Sequence, residues 1–134
     1  ISEKNGFKVI DDTYNACEDS VISALDTLAA TEGKRKVAIL GDIIGLAERA
    51  EPDHKNVGAY AAKKGVDLLI AVGDDARYYA QGASGLMEEE NIRYFPKKED
   101  FIRIKDSLLR EGDVILVKAS RGMEMEKIVN EIIR

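Results

Sequence analysis

The stretch KRKVAILGD at 34–42 decides the fold: three cations, a continuous apolar run from Val37 to Leu40, then Gly41 and Asp42. An apolar run with no polar alternation describes a strand covered on both faces, the habit of parallel sheets. Asp67-Leu68-Leu69-Ile70-Ala71-Val72, ending in Gly73, repeats it, and so does Val114 to Val117. Phe7 to Ile10 and Arg93-Tyr94-Phe95, closed by Pro96, are shorter strands.

Helical stripes lie between them. Val21, Ile22, Leu25, Leu28 and Ala29 recur at spacings of one, three and four. Pro52 stands in the first turn of a helix running through Val57, Tyr60 and Ala61, with Lys63 and Lys64 in its last turn and Gly65 beyond. A helix over 74–82 carries Ala76, Tyr79 and Ala80 until Gly82 and Gly85 interrupt it, and the Tyr78-Tyr79 pair places at least one ring in the core. Phe101, Ile104, Leu108 and Leu109 mark a fourth helix, stopped by Gly112, and Ile128, Val129, Ile132 and Ile133 give the last its apolar face.

Strand then helix, five times over with short connections, implies parallel strands joined by right-handed crossovers. The expected fold is α/β: a three-layer, Rossmann-like, mostly parallel open sheet with helices on both faces. Residues 1–134 hold no internal repeat and no Pro/Gly/Ser linker, so they read as a single domain. The longest irregular connection is GDIIGLAERAE at 41–51, whose isoleucines can form an extra helical turn.

Composition excludes several classes. No apolar stretch approaches the roughly 20 residues that cross a bilayer, so no membrane partner is expected. A net charge of -5 argues against nucleic acid, which needs a clustered basic face. The longest basic run, Lys34-Arg35-Lys36, reads as a solvated loop. Cys17 is the one cysteine, with no companions at metal-ligand spacing, which fits a reducing compartment. No charged start followed by an apolar segment suggests secretion, so the cytoplasm is expected. The chain begins at Ile1 rather than Met, as a processed chain or a piece of a longer one would.

Open α/β sheets bind ligands at the carboxyl ends of their strands, and three such ends here are polar. DDTYNAC at 11–17 offers Asp11 and Asp12 to ribose hydroxyls, and Tyr14 and Asn15 as a ring and an amide for a base or phosphate. The same residues also suit a turn and a helix cap. Gly41-Asp42 is the second end. KASRGM at 118–123 opens the last helix, where Lys118, Ser120, Arg121 and free amides suit a carboxylate or phosphate; a solvated turn is the plainer alternative. Neither GxGxxG nor GxxxxGK[ST] occurs, so the chain has no loop to cradle a triphosphate. His54, the single histidine, is expected to cap or pack rather than act as a base.

The clusters DDTYNA, LGDI with a downstream HKNVG, then GDVILVK and SRGM, in this order, resemble the C-terminal domain of the Mur ligases from Val9 to the last helix. The nearest match within the family is the member that adds D-alanyl-D-alanine. The resemblance implies that this chain is only the third of three domains, the UDP-substrate and P-loop ATPase domains being absent. It implies ATP and Mg²⁺ as cofactors of the full-length enzyme, none held tightly by this piece, and D-alanyl-D-alanine and UDP-N-acetylmuramoyl-tripeptide as partners. The family reaction activates the tripeptide's carboxylate as an acyl phosphate, which the dipeptide amine attacks. It further implies that Asp12 contacts the ATP ribose, with Tyr14 and Asn15 against the nucleotide. Asp42, Lys118, Ser120 and Arg121 then face the dipeptide: Arg121 and its turn hold the carboxylate bidentately, and Asp42 orients the ammonium. No catalytic residue and no metal ligand is assigned.

Two departures from the family pattern stand out. DDTYNANP reads DDTYNACE, so Cys17 replaces a capping asparagine, a loss worth about 0.5–2 kcal/mol, and Glu18 is expected to offset part of it through the helix dipole. The commoner ELG after LGD reads Gly45-Leu46-Ala47. A competing expectation is a stand-alone α/β module, receiver-like, that binds a divalent cation through Asp11, Asp12 and Asp42.

Overall fold

The computed structural model describes residues 2–13 and 16–133. Strands β1 (Ser2–Lys4), β2 (Phe7–Asp12), β3 (Arg35–Gly41), β4 (Leu68–Val72), β5 (Ile92–Phe95) and β6 (Asp113–Lys118) form one sheet in the order β1-β2-β6-β3-β4-β5. All neighbours are parallel except β1, which runs antiparallel to β2. The helices are α1 (Glu18–Ala30), α2 (Ala50–Lys63), α3 (Arg77–Ala83), α4 (Lys98–Leu108) and α5 (Glu126–Ile133).

Successive strand residues face opposite ways, so each apolar run feeds two cores. Ala38, Leu40, Leu69, Ala71 and Leu116 pack with Leu25 and Leu28 of α1, Val57 of α2 and Tyr79 of α3. Val37, Ile39, Ile70, Ile115 and Val117 pack with Phe101 of α4 and Ile128 and Ile132 of α5. Three layers result, as expected. Strand β6 inserts between β2 and β3, so the carboxyl ends of β2, β6 and β3 are neighbours.

Several expectations need correction. Strand β1 was not among the predicted elements; it closes on a two-residue turn, Asn5-Gly6, with φ of 55° and 82°, the pair of positive angles that a type I′ hairpin requires. Gly82 does not interrupt α3 but lies inside it. A Cβ there would sit 2.0 Å from the Lys55 carbonyl oxygen, and one at Gly58 would sit 2.0 Å from that of Tyr79. Helices α2 and α3 thus touch backbone to backbone, which only glycine permits. The last helix does not open at Ser120: a 3₁₀ turn at Arg121–Met123 ends at Glu124 in the left-handed region, φ 52°, before α5 begins.

The basic run is no solvated loop. Arg35 Nε and Nη2 donate to the Asp113 carboxylate at 2.9 and 2.8 Å, and Nη2 also donates to the Leu108 carbonyl at 2.6 Å. Lys36 Nζ donates to the Leu28, Ala29 and Thr31 carbonyls at the carboxyl end of α1, where a cation also meets the helix dipole.

The start of α1 finds a substitute cap. Ser20 Oγ accepts the Cys17 N–H at 2.9 Å and completes a capping box with it; the Ser20 hydroxyl and amide hold the Cys17 thiol below its ordinary value. Glu18 lies in the first turn of α1, where the dipole favours an acid. It also faces Asp53, and burial, then the Asp53 carboxylate, push its carboxyl above the usual range, while its Oε2 is buried with no hydrogen-bond partner among the described residues.

Three outcomes follow. Gly82→Ala loses about 3 kcal/mol, because a backbone carbonyl cannot yield as a side chain can, read as a fall in urea midpoint. Ala47, at φ 52°, occupies the left-handed region, so Ala47→Gly gains about 1 kcal/mol in the same titration. For Glu18, a folded value raised above the unfolded one means that ionisation favours unfolding, so stability falls as pH rises above the ordinary carboxylate range. Glu18→Gln therefore raises Tm at neutral pH, and the gain disappears below about pH 4.

Candidate functional site

Register builds the rim. Asp12 of β2 and Leu40 of β3 both lie opposite Lys118 of β6, so the three strands end together. Lys118 is 2% exposed and its Nζ lies 3.1 Å from Asp12 Oδ2; a buried ammonium requires such a partner. Asp12 remains half exposed at the strand end. Asp11, facing the other way, accepts the Thr13 hydroxyl at 2.9 Å.

Past β6 the chain runs through buried Ala119 and Ser120 to exposed Arg121. Ser120 ties this turn to the β3 exit: its N–H donates to the Asp42 carbonyl at 3.1 Å, and its Oγ accepts the Ile44 N–H at 2.8 Å. Ile44 itself is 57% exposed and lies against Gly122.

The Asp42 side chain braces the next strand's exit. Its Oδ1 accepts the Ala76 N–H at 2.7 Å and its Oδ2 the Asp74 N–H at 3.1 Å. Burial pushes the Asp42 carboxyl above its ordinary value, and nearby Asp75 adds to this, while the Ala76 and Asp74 amides pull it back. Beneath the loop lie two buried rings, His54 and Tyr79, with centroids 4.8 Å apart. Tyr79 donates its hydroxyl to the Gly41 carbonyl at 2.9 Å, and burial, then Asp42 and Asp75, hold its phenol well above the ordinary range, so it stays a donor.

The structure brings Asp12, Lys118, Asp42, Ser120 and Arg121 to one carboxyl rim. Tyr14 and Asn15 lie outside the described residues. Lys118 is directed to Asp12 rather than outward. Reasoning from sequence did not find His54, Tyr79 and Asp75 as parts of this region, although it singled out the 41–51 loop that holds Ile44; the HKNVG segment held a signal, since its His54 lies beneath the loop and its Gly58 admits α3.

The rim can engage a small zwitterion or polyol: Asp12 offers a carboxylate to hydroxyls, Asp42 keeps further lone pairs for an ammonium, and Ser120 with Arg121 offers donors to an anion. The acids invoked for a cation-binding module are otherwise engaged, and among the described residues no group of three or more His, Cys, Asp or Glu side chains could hold a metal ion. No described helix is long and apolar enough to cross a membrane. A cleft of about 450 Å³ lined by Lys34, Arg35, Asp67, Asn91, Arg110, Glu111 and Asp113 opens on the opposite, amino edge. Two of its three acids are committed, Asp113 to Arg35 and Asp67 to the Lys36 N–H.

Comparison with known proteins identifies the family and the fold. The family described as Mur ligase, glutamate ligase domain, matches residues 1–121. The UDP-N-acetylmuramoyl-tripeptide–D-alanyl-D-alanine ligase of Bacillus subtilis is 32% identical over 134 residues, covering 99% of this chain and 29% of that protein. Its counterpart in Escherichia coli K12 is 34% identical over 126 residues, covering 92% and 26%. A crystal structure of MurF from Acinetobacter baumannii superposes with a TM-score of 0.85 at 28% identity, covering 99% of this chain and 29% of that one. The MurF ligase from Thermotoga maritima in complex with ADP shares the fold, with a TM-score of 0.79 at 24% identity, over 97% and 29%. The chain spans less than a third of the length of these relatives. With the family pattern matched over residues 1–121, the chain belongs to the Mur ligase family, as its glutamate ligase domain.

Proposed function

We propose that this chain is the cleft-closing, C-terminal domain of a cytoplasmic ATP-dependent ligase that joins D-alanyl-D-alanine to UDP-N-acetylmuramoyl-tripeptide in the making of peptidoglycan precursor. The gathering of Asp12, Asp42, Ser120 and Arg121 on one rim carries the reading, because a zwitterionic dipeptide beside a nucleotide needs these groups within reach of one another. ATP supplies the phosphoryl group that activates the tripeptide's terminal carboxylate.

This chain's residues bind and orient. Asp12, its charge balanced by Lys118, accepts the ribose hydroxyls, with Tyr14 and Asn15 proposed against the nucleotide. Arg121 grips the dipeptide carboxylate through its planar fork, Ser120 adds a hydroxyl donor, and Asp42 accepts from the ammonium. Mg²⁺ does not fit this chain: Asp12 is paired with Lys118, Asp42 braces amides, and the described residues hold no metal-binding group. No glycine-rich phosphate loop is present either, so the metal and the triphosphate belong to other parts of a longer enzyme.

Two outcomes test this. The 134-residue chain, supplied with ATP, Mg²⁺ and both substrates, releases no phosphate in a continuous phosphate assay; turnover by the chain alone would contradict the division of labour. In an NMR titration, D-alanyl-D-alanine shifts the Ser120 and Arg121 amides, and Arg121→Ala weakens that response by about tenfold or more. A wild-type chain indifferent to the dipeptide would sink the reading.

A further inference from the structure

We propose that His54 is a positioning residue for this rim: its neutral imidazole ring, protonated on Nδ1, holds the 41–50 loop in the one arrangement that presents the Ser120 hydroxyl to a ligand. The inference rests on the ligase reading for what the ligand is, and on the geometry alone for what His54 does.

His54 is 0% exposed, yet both ring nitrogens are used. Nε2 accepts the Ile43 N–H at 3.1 Å, which leaves Nδ1 as the protonated nitrogen, 2.6 Å from the Ala50 carbonyl to which it donates. Ile43 is 1% exposed, so its N–H has no recourse to water and must be paired. The imidazole thus clasps the loop at both ends.

The next residues transmit that clasp. Ile44 is largely exposed and Gly45 sits at φ 90°, and beyond Ile43 only Leu46 of the loop packs, partly buried, against the core. Apart from Ile43 and Leu46, its anchors are polar: Tyr79 at the Gly41 carbonyl, His54 at Ile43 and Ala50, and Ser120 at Asp42 and Ile44. Because Ser120 Oγ accepts the Ile44 N–H, its own O–H is left to donate, and no described residue accepts it. Ser120 is only 7% exposed, so that donor is held in place for an incoming oxygen, the carboxylate of the dipeptide. Without the His54 acceptor, Ile43 must turn to find another partner. Ile44 then turns with it, and the Ser120 hydroxyl loses its fixed direction.

The histidine is the only one in the chain, so its ring gives one pair of ¹⁵N resonances. The expected signature in the wild-type chain is a neutral, Nδ1-protonated tautomer; an Nε2-protonated ring overturns the proposal before any variant is made. In His54→Leu, amide exchange at Ile43 and Ile44 accelerates and the D-alanyl-D-alanine response at Ser120 weakens, each by about tenfold or more. In His54→Gln, whose carbonyl can accept the Ile43 N–H, both recover toward wild type. Wild-type exchange at Ile43 and Ile44 in His54→Leu refutes the proposal. If the wild-type chain ignores the dipeptide, the ligase reading fails, while the tautomer and the exchange rates still decide the role of His54.

Discussion

The central strand β6 buries a charge at each end, and the sheet is arranged around satisfying both. Asp113 at its start is 1% exposed and Lys118 at its end 2%; either one unpaired is costly in a low-dielectric interior. Arg35 of β3 answers the first with two parallel bonds, joined by the Arg110 N–H at 2.8 Å. Asp12 of β2 answers the second. The partners come from different neighbours, so each flank of β6 is locked in register by its own ion pair. A slip of one residue would turn a charge toward an apolar layer. The same registration delivers the exits of β2, β6 and β3 to one level, and the rim exists because of it.

The rim divides its labour between groups that shape and groups that meet solvent. Tyr79 and His54 lie inside and direct their polar atoms to backbone, while Asp12 and Arg121 lie at the surface. Asp42 belongs to both sets: its oxygens brace the turn at Asp74 to Ala76, and that turn delays the start of α3 to Arg77. One carboxylate at the rim thus also braces the turn from which the following helix begins.

Much of this was legible in the chain. VAIL at 37–40, LLIAV at 68–72 and VIL at 114–116 announce strands because burial on both faces leaves no room for polar alternation, and the residues following them mark the rim by position alone. What escaped depended on distant partners. Arg35 and Lys36 look like solvated charges until Asp113 and the end of α1 are brought beside them. Gly82 reads as a helix breaker, since nothing local says that the Lys55 carbonyl fills the space of its missing side chain. The role of His54 depends on Ile43, across a loop whose path the sequence leaves open. Strand β1 is different: Asn5-Gly6 is a strong local hairpin signal, and the polar SEK before it obscured the short strand.

The added hairpin also changes how the sheet ends. Its outermost members, β1 with three residues and β5 with four, are the shortest strands of the six, and β5 runs directly into Pro96, which has no N–H to offer a neighbour. Little unpaired backbone is left on either border for another molecule to extend. Borders of this kind give a stray strand little to extend, so the sheet's edges carry little risk of aggregation.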